Sequence, residues 1–171
     1  YNFALGALSG INGVELPTRF TWGSSVTALT EYTVGVGIAC SGDFNGEYLY
    51  GDVDEVSLYS TALNVNEIRK LYSSYDEYTL DNGGLASRYS FHNGTVTDNS
   101  GNGNTAVLGV SPTLTTDKNG VANSAYSLNG SSQYIDISAG ISEVEEIHNG
   151  TWSVWVKPSN ISATQETIMS I

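Results

Sequence analysis

The chain has 171 residues, a length that one β-sandwich domain can use in full. Its formal net charge of −12, with only 6 Lys and Arg, repels phosphate backbones and argues against nucleic-acid binding. A single cysteine, Cys40, excludes an intrachain disulfide, and no apolar run is long enough to insert into a membrane. The 11 Tyr and 19 Gly, set among many Thr, Ser and Val, favour strands and turns over helices. The chain opens at Tyr1 without Met or a signal-like stretch, as expected of a processed product or a piece of a longer protein.

In chain order, "YTVGVGIAC" alternates strictly. Val34, Val36, Ile38 and Cys40 fall on one face, and Thr33, Gly35, Gly37 and Ala39 on the other. The second face carries little bulk, so a backbone or ligand can approach it closely. "GDVDEVSLYSTAL" (51–63) is the next strand, with three carboxylates at its head. A period of two puts Asp54 in phase with Val56 and Leu58, hence inward. "LNVNEIRKLY" predicts the one helix: Asn64 caps it, Glu67 completes a capping box, and Ile68, Leu71 and Tyr72 form the apolar stripe.

"SRYSFHNG" groups Tyr89 with Phe91, and Arg88, Ser90 and His92 opposite. "AYSLNGSSQYIDI" reads as strand, turn, strand, with Tyr126, Leu128, Ile135 and Ile137 apolar in phase. "EVEEIHNG" (143–150) suggests one helical turn. "TWSVWVKP" turns Trp152, Val154 and Val156 one way, and Trp155 the other with Ser153 and Lys157; Pro158 closes it. Gly- and Asn-rich runs ("DNGG", "DNSGNGN", "DKNG", "NGSS") mark the loops. The expectation is an all-β fold, an antiparallel β-sandwich with one short helix.

The stretches "GLASRYSFHNGTVTDNSGNGNTAVL", "NSAYSLNGSSQYIDIS" and "TWSVWVKPSN" resemble the opening half of a laminin-G-like (concanavalin A-like lectin/glucanase) jelly-roll domain. "INGVEL", "YTVGVG" and "FNGEYLYGDVDEVSLYSTALNVNEIRKLY" resemble its closing half. The order is reversed: the closing half spans 1–76, a linker 77–81, and the opening half 82–171. Two origins fit. The chain can be a window on a tandem array, or a permuted domain whose halves complete one sandwich.

The acidic head of 51–63 invites a glycanase reading, which needs two carboxylates about 5 to 9.5 Å apart across one groove. Asp52 and Asp54 share a face, but the next residue in phase is Val56, and Glu55 points the other way. No catalytic set is expected. "TDNSGNGN" supplies Asp98, Asn99, Asn102 and Asn104 in a yielding loop, a donor type that suits calcium or, alternatively, a metal-free cluster of Asx-turns. The resemblance implies a structural calcium where this loop meets the final strand, held by Asp54, Asp98 and Asn102. His92 and His148 lack partners at zinc-ligand spacing.

Trp155 on the outward face, with Tyr48 and Tyr50 from "GEYLYG", is the candidate sugar platform; the alternative is that a loop or the helix covers Trp155. Trp22 carries the same two readings. Sequons stand at Asn93, Asn129, Asn149 and Asn160. The resemblance implies a non-catalytic module, extracellular or on a cell or virion surface, that binds a glycan or cell-surface glycoprotein. The rival expectation is an assembly subunit that pairs with copies of itself.

Overall fold

A computed structural model describes residues 10–11, 14–15, 37–40, 46–73, 84–138, 150–159 and 167–170. Within them the chain is an antiparallel sandwich of two sheets with one short helix. Strands β1 (Gly10–Ile11) and β2 (Val14–Glu15) form a small separate pair. The strands that follow are β3 (Gly37–Ile38), β4 (Tyr50–Tyr59), β5 (Leu85–Tyr89), β6 (Val107–Gly109), β7 (Thr113–Thr115), β8 (Ala125–Asn129), β9 (Tyr134–Asp136), β10 (Thr151–Pro158) and β11 (Met169–Ser170). The smaller sheet runs β11-β3-β9-β6. The larger runs β10-β4-β8-β7, with β5 also on β4.

Strand β4 is the axis of the larger sheet. One edge pairs with β10 along almost its whole length. The other is shared: β8 covers Tyr50 to Val53, and β5 covers Val56 to Tyr59. In the smaller sheet β3 sits between β9 and β11. Strands from residues 37–59 therefore pair with strands from residues 85–170 in both sheets.

Alternating apolar residues meet between the sheets. Ile38, Val53, Val56, Leu58, Tyr89, Phe91, Tyr126, Leu128, Ile135 and Ile137 form one buried cluster, and Trp152, Val154 and Val156 pack against it. Each aliphatic or aromatic side chain buried there contributes about 1.5–3 kcal/mol. Phe91 meets Tyr126 edge-on, with ring centroids 5.2 Å apart, a favoured aromatic geometry.

Helix α1 (Val65–Ser73) is capped as its sequence predicts. Asn64 Oδ1 accepts the N–H groups of Asn66 and Glu67, and Glu67 Oε2 accepts that of Asn64. Its Ile68 and Leu71 pack with Tyr59, Leu63 and Leu85 in a second, smaller cluster.

Two strand phases differ from the period-two expectation. Ala39 has φ 68, and Ile38, Ala39 and Cys40 are all buried, so the simple alternation of 38 and 40 ends at Ala39. In β4, Ser153 pairs with Ser57 but Trp155 pairs with Asp54, so β4 carries one residue more than β10 there. Glu55, with φ 49, occupies this bulge. The inward set is Val53 before the bulge and Val56 and Leu58 after it. Asp54 is thus turned out of phase with Val56, contrary to the inward expectation. Val34, Val36, Thr33, Gly35, Trp22, residues 143–149 with His148 and Asn149, and Asn160 lie outside the described residues.

Candidate functional site

The bulge sits at a seam. The edge partner of β4 changes from β8 to β5 between Val53 and Val56, and Asp54 and Glu55 fill the gap. Asp54 is 6% exposed. Its Oδ1 accepts the N–H of Glu55 at 2.8 Å, and its Oδ2 accepts the N–H of Lys118 at 3.3 Å. Burial pushes its carboxyl up to about 7; the charges of Glu55 and Asp117 add to the rise, and the two N–H bonds oppose it.

The other two acids of the opening cluster are held elsewhere. Glu55 forms an ion pair with Arg88 at 3.2 Å, and Asp52 lies 3.7 Å from the exposed Lys157 ammonium. The three carboxylates of the cluster thus have three different sets of partners.

Trp155 stands beside Asp54 in the β4–β10 register. Tyr72 of α1 lies nearly parallel to it, centroids 5.3 Å apart and planes 19° apart. The Lys118 ammonium sits 5.1 Å from the Trp155 ring centroid. Helix and loop both cover this indole. Tyr50, four residues from Asp54 along β4, is roughly 13 Å away along the strand and does not join Trp155 in one platform.

Asp98 organises the 98–104 loop. Its Oδ1 accepts the N–H groups of Arg88 and Ser100; its Oδ2 accepts the Ser100 hydroxyl and the Asn104 N–H. Burial alone raises its pKa, but these donors outweigh burial and hold the carboxyl below its ordinary value. Asn102 Nδ2 donates to the carbonyls of Leu85 and Ala86, and Asn104 Nδ2 to Ala86 O and Ser87 Oγ. The loop is clasped to β5 by its own side chains.

Asp98 and Asn102 belong to one loop, and Asp54 is tied through Lys118 to another. The Asp98 oxygens already take four donors. Among the described residues no three His, Cys, Asp or Glu side chains gather as metal ligands. His92 is exposed, with Nδ1 3.2 Å from Ser124 Oγ.

A second aromatic pair lies on the smaller sheet. In the smaller sheet Ile135 and Ile137 point into the core, so Tyr134 and Asp136 point out. Tyr134 pairs with Gly109. A Cβ on Gly109 would stand 2.2 Å from Tyr134 Cζ, 2.4 Å from Cε1 and 2.5 Å from Cε2. Three ring carbons at nearly equal distance mean that the phenol lies face-down on the glycine backbone. Only a residue without a side chain permits that contact.

Tyr48 lies near it, centroids 6.5 Å apart and planes 27° apart. Leu49 is buried, which turns its neighbours Tyr48 and Tyr50 outward together; Tyr50 is 49% exposed and rests its Cβ against Gly130. Tyr48 thus lies against Tyr134 of the smaller sheet, whereas Tyr50 stands on β4 of the larger sheet, to which Trp155 of β10 also belongs. Sequence reasoning did not single out Tyr134. The alternation in "QYIDI" marks it as outward, but its pairing with Gly109 is a long-range fact that no local pattern carries. Comparison with protein-family models, with curated proteins and with solved structures finds no match.

Proposed function

We propose that this chain is a non-catalytic recognition module, extracellular or on a cell or virion surface, that binds glycans through the tyrosines on the outer face of its smaller sheet. One observation carries the reading: the Tyr134 ring lies flat on Gly109, with Tyr48 near-parallel beside it. A flat ring held against a sheet has its position fixed before a ligand arrives, and an aromatic face of this kind suits the apolar face of a pyranose.

A glycan array tests it. Specific binding should fall at least about tenfold in Tyr134→Ala, in line with an aromatic contact of about 0.5–1.5 kcal/mol beyond the area buried. The melting temperature of the variant should stay close to that of the parent. Binding that survives the substitution rejects the platform.

A second reading, an assembly subunit pairing with its own copies, has a specific observation behind it. Strands β6 and β7 end the two sheet orders; Val107 on β6 is 58% exposed, and Val110, between them, is 63% exposed. Exposed apolar side chains at sheet edges favour contact with another chain. Sedimentation across a concentration series separates the two: growth of the sedimentation coefficient, lost in Val107→Lys with Val110→Lys, supports assembly.

A further inference from the structure

Asn is followed by Gly eight times in this chain. The pair carries a reactivity of its own. The backbone nitrogen of the glycine attacks the side-chain amide carbon of the asparagine, and no Cβ on the glycine crowds the approach. Four of the pairs lie wholly within the described residues: Asn93–Gly94, Asn102–Gly103, Asn119–Gly120 and Asn129–Gly130. The dipeptide is the same in each, so the fold decides which of them reacts.

Three of the four nitrogens are tied down. Gly94 donates its N–H to Phe91 O at 2.8 Å, Gly120 to Asp117 O at 3.1 Å and Gly130 to Leu49 O at 3.0 Å. The Gly103 N–H is donated to no group among the described residues. Gly103 is exposed, and a Cβ placed on it would meet nothing within 4 Å. An amide bonded to a carbonyl gives up its proton to water only when that bond opens. The same bond withholds the nitrogen from attack. At Asn102 the attacked residue is also held in place: its Nδ2 donates to Leu85 O at 3.0 Å and to Ala86 O at 2.9 Å, and its N–H to Ser100 Oγ at 3.2 Å.

We infer that Asn102 is a self-modification site, the one of these four asparagines that deamidates first in the folded chain, and that its product unfastens the 98–104 loop from β5. Gly103 N forms a bond to Asn102 Cγ, and the Cγ–Nδ2 bond breaks. Nδ2 leaves as ammonia, with the proton that Gly103 gave up. Water then opens the cyclic succinimide at either carbonyl, which yields aspartate or isoaspartate; nothing is oxidised or reduced. The product carries a carboxylate where a donor to two carbonyls stood. A carboxylate and the carbonyls of Leu85 and Ala86 are all acceptors, so both bonds are lost and like partial charges meet. Asp98 and Asn104 keep their own bonds to β5. The inference is independent of what either sheet binds.

The experiment uses the whole chain, incubated at mildly alkaline pH in heavy-oxygen water, once folded in buffer and once unfolded in urea. Peptide mapping by mass spectrometry reads the four sites separately. In the folded chain Asn102 should convert at least about twofold faster than Asn93, Asn119 or Asn129, the factor set by one backbone hydrogen bond that need not open first. In urea the four rates should converge, because only the shared dipeptide is left to set them. The deamidated fraction, separated by charge, should melt below the parent. Asn102→Asp, prepared directly, should do the same and should speed hydrogen exchange at the Asn104 amide.

A rate at Asn102 equal to or below that of any of the other three in the folded chain overturns the site. A lead for Asn102 that persists undiminished in urea overturns it as well, since flanking sequence and not the fold would then set the order. Parent, deamidated fraction and Asn102→Asp that all melt together overturn the unfastening of the loop.

Discussion

The backbone N–H of Lys118 is donated to Asp54 Oδ2 across 64 positions of sequence. The same lysine places its ammonium over Trp155, the residue opposite Asp54 on β10. One loop therefore ties down both the bulge of β4 and the indole beside it. The tie explains why a carboxylate and a tryptophan that look exposed on a strand diagram are covered.

Asp54 gives the fold a pH dependence whose sign is opposite to the usual aspartate case. Its pKa rises from 3.8 to about 7, chiefly because burial disfavours the charge. The protonated form is the one the native state favours. Its contribution is fully present below 3.8 and is lost as pH rises through about 7. After allowance for screening near the surface, about 2 kcal/mol is at stake. Asp54→Asn should be more stable than the parent at pH 8 and nearly equal to it at pH 4. Urea midpoints at the two pH values check this, and a difference that does not change with pH rejects it.

Asp98 behaves in the opposite sense. Its donors hold the carboxyl below its ordinary value, so its stabilisation is present above the unfolded pKa and disappears as pH falls through the native one. Asp98→Ala orphans two buried or half-buried N–H groups on Oδ1 and an N–H and a hydroxyl on Oδ2. The expected loss is about 2–4 kcal/mol. Because the same oxygens have no lone pair to spare, excess calcium and chelator should give the same melting temperature for the parent chain. A rise with calcium would show that the loop rearranges to bind it.

Tyr72 couples the helix to the larger sheet. Its stack on Trp155 supplements the small cluster of Ile68, Leu71, Tyr59, Leu63 and Leu85. Tyr72→Ala should cost about 1 kcal/mol and expose the indole. Tryptophan emission should shift to the red, and Trp155→Phe in the same background should remove the shift. An unchanged spectrum would mean that the helix holds its place without the stack.

The helix and the core faces were legible in the sequence because their signals are local. Asn64 and Glu67 are three residues apart, and Ile135 and Ile137 two. The phase of Asp54 was not legible, because one residue in the left-handed region at Glu55 reverses every side chain before it relative to those after. Nothing about a glutamate announces such a conformation; Gly or Asn would have. The covering of Trp155 and the seating of Tyr134 on Gly109 escaped for another reason. Each depends on which strands and loops meet far beyond the local pattern of either partner: Lys118 and Trp155 lie 37 positions apart, and Gly109 and Tyr134 lie 25 apart. The candidate pair Tyr48 and Tyr50 was accessible because the buried Leu49 between them gives a two-residue period.

Glu55 tests the bulge and the buried carboxyl together. It forms an ion pair with the largely buried Arg88, and its charge adds to the rise in the Asp54 pKa. Glu55→Gln keeps the side-chain length and the strand register but removes the charge. Two effects should follow in one variant. Stability at neutral pH should drop by about 1–3 kcal/mol as Arg88 loses a charged partner. The Asp54 midpoint, followed by carboxyl NMR shifts, should move downward from about 7, because a like charge beside it has gone. A midpoint that stays in place would assign the shift to burial alone. A midpoint that rises would mean that the bulge had closed and taken Asp54 further from water.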